Sequence, residues 1–249
     1  MRNTEEFWGN IARENIFWFR TWDKVLDWKP PFAKWFVNGK LNASYNCLDR
    51  HLSALRNKVA YYWEGERGER KAISYQDLYN EVNRFAGVLK GLGINKEKTV
   101  TIYLPMIPEL PVAMLACARL GAAFTVVFSG FSSQALSDRM NDSGSTILIT
   151  ADGGYRRGKI IPLKEISDEA LATSHLIEKV IVFRRTGEEI SMKQGRDLWW
   201  ADLMASTTVK HVAPEELDSS HPLYLLYSSG VASGPIALLT CSLSSLESS

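Results

Sequence analysis

Apolar and polar positions along the middle of the chain predict strands that alternate with helices. The most regular helix is expected over residues 75–90, with Ser74 as N-cap, Asp77 completing a Ser-x-x-acid box, and Gly91 and Gly93 as a left-handed stop. Strands are predicted over 99–104, 122–128, 146–150, 177–183 and 223–227, and further helices over 108–120 and 133–142.

The predicted strands are apolar on both sides, which is typical of a parallel sheet covered by helices on both faces. The fold class is therefore α/β, with layered parallel or mixed sheets and flanking helices. Ligands bind such sheets at the carboxyl ends of the strands. The loops after Phe128, Thr150 and Tyr227 are the candidate binding loops.

The amino-terminal segment differs from this pattern, because ten aromatic residues lie between positions 7 and 40 and Pro30 and Pro31 interrupt any helix there. We expect this segment to wrap around and pack on a larger body. Stacking of one of these rings on a nucleotide base is the alternative interpretation.

Composition narrows the classes of function. Hydrophobic residues make up 45% and charged residues 23% of the 249 residues, and the net charge of +1 argues against nucleic acid as the main partner. Cys47, Cys117 and Cys241 are too far apart to indicate a zinc site or a disulfide framework. The sequence predicts no secretion signal and no membrane-spanning segment, so a cytoplasmic protein is expected.

Two segments could bind phosphate. Residues 227–230 (YSSG) follow an apolar strand and offer backbone N–H groups and hydroxyls, although an ordinary Ser/Gly turn has the same composition. Residues 152–159 (DGGYRRGK) carry three cations on a glycine-framed loop, and a solvated basic turn is the alternative. Neither segment is a Walker motif, and the Gly91-x-Gly93 pair follows a helix, so it is no dinucleotide fingerprint.

Taken together, these segments resemble AMP-forming acetyl-CoA synthetases of the adenylate-forming superfamily. The resemblance covers roughly residues 7–230. It rests on stretches such as WFVNGKLNASYNCLDRHL (35–52), YLPMIPELPVAMLACARLGA (103–122), VVFSGFSSQALSDRM (126–140) and ITADGGYRRGKIIPLK (149–164). It implies a reaction in which acetate attacks ATP, held with Mg²⁺, to form acetyl-AMP and pyrophosphate, after which the thiol of coenzyme A displaces AMP.

The resemblance also implies residue roles. Ser228, Ser229 and Gly230 match the start of the family's loop for the ATP phosphates. The positions of the family that meet the nucleotide end of coenzyme A are matched by Arg156, Lys159, Gly130 and Phe131, with Lys159 in place of a common arginine. Phe124 stands where many members carry histidine. No catalytic residue, metal ligand or tightly bound cofactor is assigned.

The sequence departs from the family after Gly230. Val231, Ala232 and Ser233 stand where Thr, Thr and Gly are expected, and Ile236 replaces the loop lysine. The family's acyl pocket, magnesium-binding acid and carboxyl-terminal adenylation lysine have no match. Residues 1–57 are interpreted as the aromatic-rich extension, 58–230 as a partial AMP-binding domain and 231–249 as a divergent Ser-rich tail.

Three hypotheses follow from this departure. The first is a truncated ligase-like chain that is inactive alone. The second is one part of a split ligase that pairs with a downstream fragment. The third is a non-catalytic module that binds nucleotide or coenzyme A, or pairs with an intact ligase.

Overall fold

A computed structural model describes residues 4–227 and 236–238. Within this part of the chain, the α-helices are α1 (Thr4–Asn15), α2 (Ala43–Cys47), α3 (Leu52–Leu55), α4 (Tyr75–Gly91), α5 (Glu109–Leu120), α6 (Ser133–Ser143), α7 (Leu163–Leu171) and α8 (Trp200–Ser206). A 3-10 turn, Asp49–His51, lies between α2 and α3.

The strands form one large sheet and several short hairpins or pairs. In chain order they are β1 (Lys24–Lys29), β2 (Phe32–Val37), β3 (Lys40–Leu41), β4 (Val59–Glu64), β5 (Arg70–Ser74), β6 (Thr99–Tyr103), β7 (Ala123–Val126), β8 (Ile147–Ala151), β9 (Gly154–Arg156), β10 (Lys159–Ile161), β11 (Lys179–Phe183), β12 (Asp197–Trp199), β13 (Leu217–Asp218), β14 (Tyr224–Leu226) and β15 (Ile236–Leu238).

The large sheet has seven strands in the order β12-β11-β8-β6-β7-β14-β15. Neighbours from β12 to β14 are parallel, and β15 pairs antiparallel with β14. This arrangement confirms the α/β class. All five residues of β8 are buried, and so are four of the five in β6, as strands covered on both faces require.

The helices cover the two faces of this sheet because of the strand order. The chain moves from β6 to the adjacent β7 through α5, and then returns past β6 to β8 through α6. Since parallel crossovers are right-handed, the two directions place α5 and α6 on opposite faces. The helix α4 packs against α5 and α8, and α6 packs against α7.

The helix boundaries confirm most of the sequence expectations. Ser74 Oγ accepts a hydrogen bond from the Asp77 backbone N–H at 3.1 Å, and the Asp77 carboxylate accepts one from the Ser74 N–H at 3.3 Å. One expectation was wrong: Gly91 is the last residue of α4, and only Gly93 has a positive φ, of 86°. Gly121, with a φ of 75°, ends α5.

The amino-terminal segment packs on the sheet domain, as expected. Its indole and phenyl rings cluster. The ring centres of Trp18 and Trp22 lie 5.2 and 4.9 Å from the ring centre of Phe36. Buried Asn42 donates hydrogen bonds to the Ala118 and Glu215 carbonyls, each at 2.9 Å. Sequence patterns did not predict that this segment contains α1 and the β1–β2 hairpin.

Candidate functional site

The candidate site lies along the edge of the sheet where its parallel strands end. The loops that follow β6, β7, β8, β11 and β14 all leave from this edge because these strands run in the same direction. The three loops singled out in the sequence belong to this set. Among the described residues, the loop of Gly130 and Phe131 and the hairpin of Arg156 and Lys159 therefore leave from the same edge although they are about 25 to 30 positions apart.

A short hairpin presents the two cations that were predicted to bind a ligand. The strands β9 and β10 pair antiparallel with Arg156 opposite Lys159. Arg157 and Gly158 connect them with φ values of 52° and 74°, which match the tight turn that suits a twisted two-residue hairpin. Directly opposed residues share a face, so the Arg156 and Lys159 side chains project to the same side.

Arg156 packs against the turn that follows β7. Its guanidinium carbon lies 4.8 Å from the centre of the Phe128 ring. A Cβ on Gly130 would collide with Arg156 Nη1 and would lie 2.7 Å from a Phe128 ring carbon. Glycine at position 130 therefore lets the guanidinium approach the backbone, and Arg156, Gly130 and Phe131 come together as one surface.

This surface is open and cationic. Phe128 and Phe131 are 51% and 41% exposed and meet edge-to-face, with their ring centres 5.8 Å apart. Arg156 is half-buried, Lys159 is exposed, and neither forms an ion pair with another described residue. Two free cations beside exposed aromatic rings suit a ligand that carries both phosphate and a planar base.

Tyr103 fixes the turn that carries Gly130 and Phe131. Its hydroxyl donates to the Phe131 carbonyl at 3.0 Å and lies 3.3 Å from the Ser129 carbonyl. Burial raises the pKa of Tyr103 to about 12, so the hydroxyl remains a donor near neutral pH. Sequence reasoning missed this residue, which reads only as the apolar end of a strand.

Asp152 organises the loop after β11. Its carboxylate is buried and accepts hydrogen bonds from the backbone N–H groups of Gly153, Arg185, Thr186 and Gly187 at 2.7 to 3.1 Å. These bonds join the ends of β8 and β11 below the β9–β10 hairpin. An Asp directly after a buried strand and before two glycines was the available signal for this role.

The predicted phosphate loop begins beside the same surface. Arg139 of α6 lies over both Phe131 and Tyr227, at 4.7 and 5.1 Å from the ring centres. The Tyr227 hydroxyl donates to Asp142 at 2.7 Å, and burial together with this carboxylate raises the pKa of Tyr227. The next predicted ligand residues, Ser228, Ser229 and Gly230, lie outside the described residues.

Phe124 occupies the interior of the sheet and not the site surface. It lies in β7, is 4% exposed, and stacks on Tyr224 of the neighbouring strand with ring centres 6.1 Å apart. A separate cleft of about 430 Å³ lies at the opposite end of the sheet, between the end of α4 and residues 212–215.

The described residues, 4–227 and 236–238, contain neither a membrane-spanning helix nor a metal cluster. No helix in these ranges is long and apolar enough to cross a membrane. Across the same ranges, no group of three or more His, Cys, Asp and Glu side chains is arranged to hold a metal ion.

The parallel sheet, with its candidate binding loops at the carboxyl ends of the strands, defines an α/β protein, and comparison with known families specifies which kind. The family model described as AMP-binding enzyme matches residues 48–234, and the model described as acetyl-coenzyme A synthetase N-terminus matches residues 1–47. The chain therefore belongs to the AMP-binding enzyme family, within which it corresponds to the amino-terminal portion of acetyl-coenzyme A synthetases.

Individual relatives support this assignment. The chain is 55% identical over 236 residues to acetyl-coenzyme A synthetase of Rubrobacter xylanophilus and 48% identical over 236 residues to that of Chlorobaculum tepidum. Each alignment covers 94% of this chain and 36% of the relative. The chain thus spans about a third of the length of these curated relatives.

A solved structure shows the same fold. Acetoacetyl-CoA synthetase from Streptomyces lividans superposes with a TM-score of 0.84 at 27% identity, covering 93% of this chain and 35% of that one. The match confirms the fold class and its position in the amino-terminal part of such enzymes. The proposed domain boundaries at 57/58 and 230/231 stay predictions.

Proposed function

We propose that this chain supplies the coenzyme A nucleotide site and the start of the ATP-phosphate loop of an AMP-forming acetate–CoA ligase. Arg156 and Lys159 would pair with phosphate groups of coenzyme A, and Gly130 and Phe131 would form the adjacent wall. Ser228, Ser229 and Gly230 would hold phosphates of ATP. The proposal rests on the family and on the names of the relatives, which are acetyl-coenzyme A synthetases.

The proposed reaction uses acetate, ATP with Mg²⁺ and coenzyme A as its small-molecule substrates. Acetate is a poor acyl donor, and its mixed anhydride with AMP supplies a good leaving group for attack by the coenzyme A thiol. Magnesium bound with ATP would supply positive charge to the phosphates. We propose that the reaction takes place in the cytoplasm, with neither nucleic acid nor a membrane as a partner.

The observation that carries the proposal is the position of Arg156. Its guanidinium has no carboxylate partner among the described residues, whereas eleven other described basic side chains form ion pairs. It lies at the carboxyl edge of a parallel sheet, over an aromatic ring and against a glycine. An unpaired arginine held in this way is suited to an anionic ligand.

We further propose that these 249 residues do not complete the reaction alone. Ile236 replaces the family's loop lysine, and losing a positioned cation beside a developing phosphate charge typically costs about 10² to 10³ in rate. The alternatives are a split ligase that pairs with a downstream fragment, and a non-catalytic module that binds nucleotide or coenzyme A or pairs with an intact ligase.

Acetate-dependent exchange of pyrophosphate into ATP separates these possibilities. The 249-residue chain alone should show no exchange above a no-protein control. Signal from the chain alone would overturn the inactive interpretation. Signal that appears only after addition of the remaining two-thirds of the Rubrobacter xylanophilus relative would establish the split arrangement. Coenzyme A binding without exchange in either condition would argue against the split arrangement and would fit both a truncated ligase and a binding module.

A further inference from the structure

The face of the β9–β10 hairpin opposite the two ligand cations contacts another hairpin. Tyr155 and Ile160 are directly opposed and project to this second face, because side chains alternate along each strand. The loop between β4 and β5, residues 65–69, reaches this face. It contributes two contacts that are separated from their partners by about 90 positions in the sequence.

Glu66 and Arg67 make these contacts. The Gly158 backbone N–H, in the hairpin turn, donates to Glu66 Oε1 at 2.6 Å. Arg67 Nη1 donates to the Tyr155 hydroxyl at 3.1 Å, and the Arg67 guanidinium lies 5.2 Å from the Tyr155 ring centre. One residue thus fixes the turn between Arg156 and Lys159, and the other fixes the residue immediately before Arg156.

Arg185 supports the same arrangement from the loop after β11. It lies between the Trp63 and Tyr155 rings, at 5.4 and 5.0 Å, and pairs with Glu69 at 2.7 Å. The Arg67 N–H also donates to the Glu69 carboxylate at 3.2 Å. The β4–β5 loop is therefore anchored on both sides of Tyr155.

We propose that Glu66 and Arg67 are positioning residues that hold the β9–β10 hairpin in register for a phosphate-bearing ligand, without contacting that ligand. This inference rests on the proposed function of Arg156 and Lys159. Arg67 is directed at the Tyr155 face, so its charge is used within the protein. A two-strand hairpin of three residues each is marginally stable by itself, which makes external contacts decisive for the placement of Arg156.

The ligand-dependent test compares coenzyme A with 3′-dephospho-coenzyme A on the complete 249-residue chain by calorimetric titration. Glu66→Ala and Arg67→Ala should each reduce the preference for coenzyme A about three- to tenfold, with affinity for the dephospho compound unchanged. Glu66→Gln keeps an acceptor oxygen and should restore the wild-type preference. Glu64 and Arg70 form an exposed ion pair at 3.0 Å on the β4–β5 hairpin. The matched controls Glu64→Ala and Arg70→Ala should leave the preference for coenzyme A unchanged.

A ligand-free test separates failure of this inference from failure of the proposed function. Trypsin cleavage after Arg156 or Arg157, followed by mass spectrometry, should be several-fold faster in Glu66→Ala and Arg67→Ala than in the wild type or the controls. If the wild-type chain binds both compounds equally, the proposed function fails, and the cleavage rates alone then judge the positioning. The inference is overturned if both variants are cleaved at the wild-type rate. It is also overturned if both variants keep the wild-type preference for coenzyme A.

Discussion

The two ends of the parallel sheet use arginine in different ways. At the amino end, Arg119 is fully buried and forms a two-bond pair with Asp49 at 2.8 and 2.9 Å. At the carboxyl edge, Arg156 and Arg139 lie over aromatic rings and form no ion pair among the described residues. The first arrangement joins the end of α5 to the 3-10 turn Asp49–His51, and the second leaves positive charge available to a ligand.

The difference shows how structural and functional charge can be distinguished within one chain. A buried arginine must be compensated inside the protein, because an unpaired buried charge is very costly. A half-exposed arginine over a ring is held in place at little cost and keeps N–H donors available for a ligand, although Arg139 uses one on the Ala135 carbonyl at 2.7 Å. Substitutions at the two ends should therefore separate stability from binding.

The largest expected effect is at Arg119. Replacing it with alanine leaves the mostly buried Asp49 carboxylate unpaired, and we expect the free energy of unfolding to fall by about 3–5 kcal/mol. Guanidinium-induced unfolding measures the change. Arg70→Ala, at an exposed ion pair, is the control and should stay within about 0.5 kcal/mol. Equal effects at both positions would remove the distinction between the two ends.

The second largest effect is expected at Asp152, the buried carboxylate at the carboxyl edge of the sheet. Asparagine offers one acceptor oxygen where several backbone N–H groups need partners, so we expect Asp152→Asn to lower the free energy of unfolding by about 2–3 kcal/mol. Asp23→Asn, whose side chain is 55% exposed, should change it by about 0.5 kcal/mol or less. If Asp152→Asn leaves the free energy of unfolding unchanged, the loop after β11 does not depend on this carboxylate.

The third prediction concerns Arg156, where we expect a small effect on stability and a large effect on binding. Arg156→Ala should lower the free energy of unfolding by no more than about 1 kcal/mol, the cost of one lost ring contact. The same variant should weaken coenzyme A binding about tenfold or more. Arg157→Ala removes the same charge from the same turn and should weaken binding by less than about threefold. Similar losses in both variants would indicate general charge attraction instead of a defined contact.

The smallest effect is expected at Gly130. In Gly130→Ala the new methyl group displaces the Arg156 guanidinium, so coenzyme A affinity should fall about threefold with little change in stability. The effect should shrink in an Arg156→Ala background, because only the contact of the new methyl group with the Phe128 ring, at 2.7 Å, then remains. A Gly130→Ala effect of undiminished size in that background would assign the glycine a role independent of Arg156.

Much of the sheet domain follows from the sequence, since its strands and helices carry long and regular apolar patterns. The helix α4 and the strands β6 and β8 were predicted within one or two residues for this reason. The hairpins β1–β2, β4–β5 and β9–β10 were missed because their strands are only three to six residues long and are partly buried, so they lack the long apolar runs of the central sheet.

The candidate site also has features that the sequence predicts and features that it does not. Loops at the ends of parallel strands can be predicted from topology, and this principle places the loops of Arg156 and Gly130 at one edge. The contact between Glu66 and Gly158 joins residues 92 positions apart through a backbone N–H, and nothing in either local segment indicates it. The hydrogen bond from Tyr103 to the turn of Gly130 and Phe131 could not be predicted for a related reason. A tyrosine that ends an apolar strand resembles any other core residue in the sequence.

The most direct test of the account is calorimetric titration of the wild-type chain with coenzyme A and with 3′-dephospho-coenzyme A. Because Arg156 and Lys159 lie together without carboxylate partners, coenzyme A should bind about tenfold or more tightly than the dephospho compound. Equal affinities, or no binding of either compound by a folded chain, would contradict the claim that this edge is built for a phosphate-bearing nucleotide.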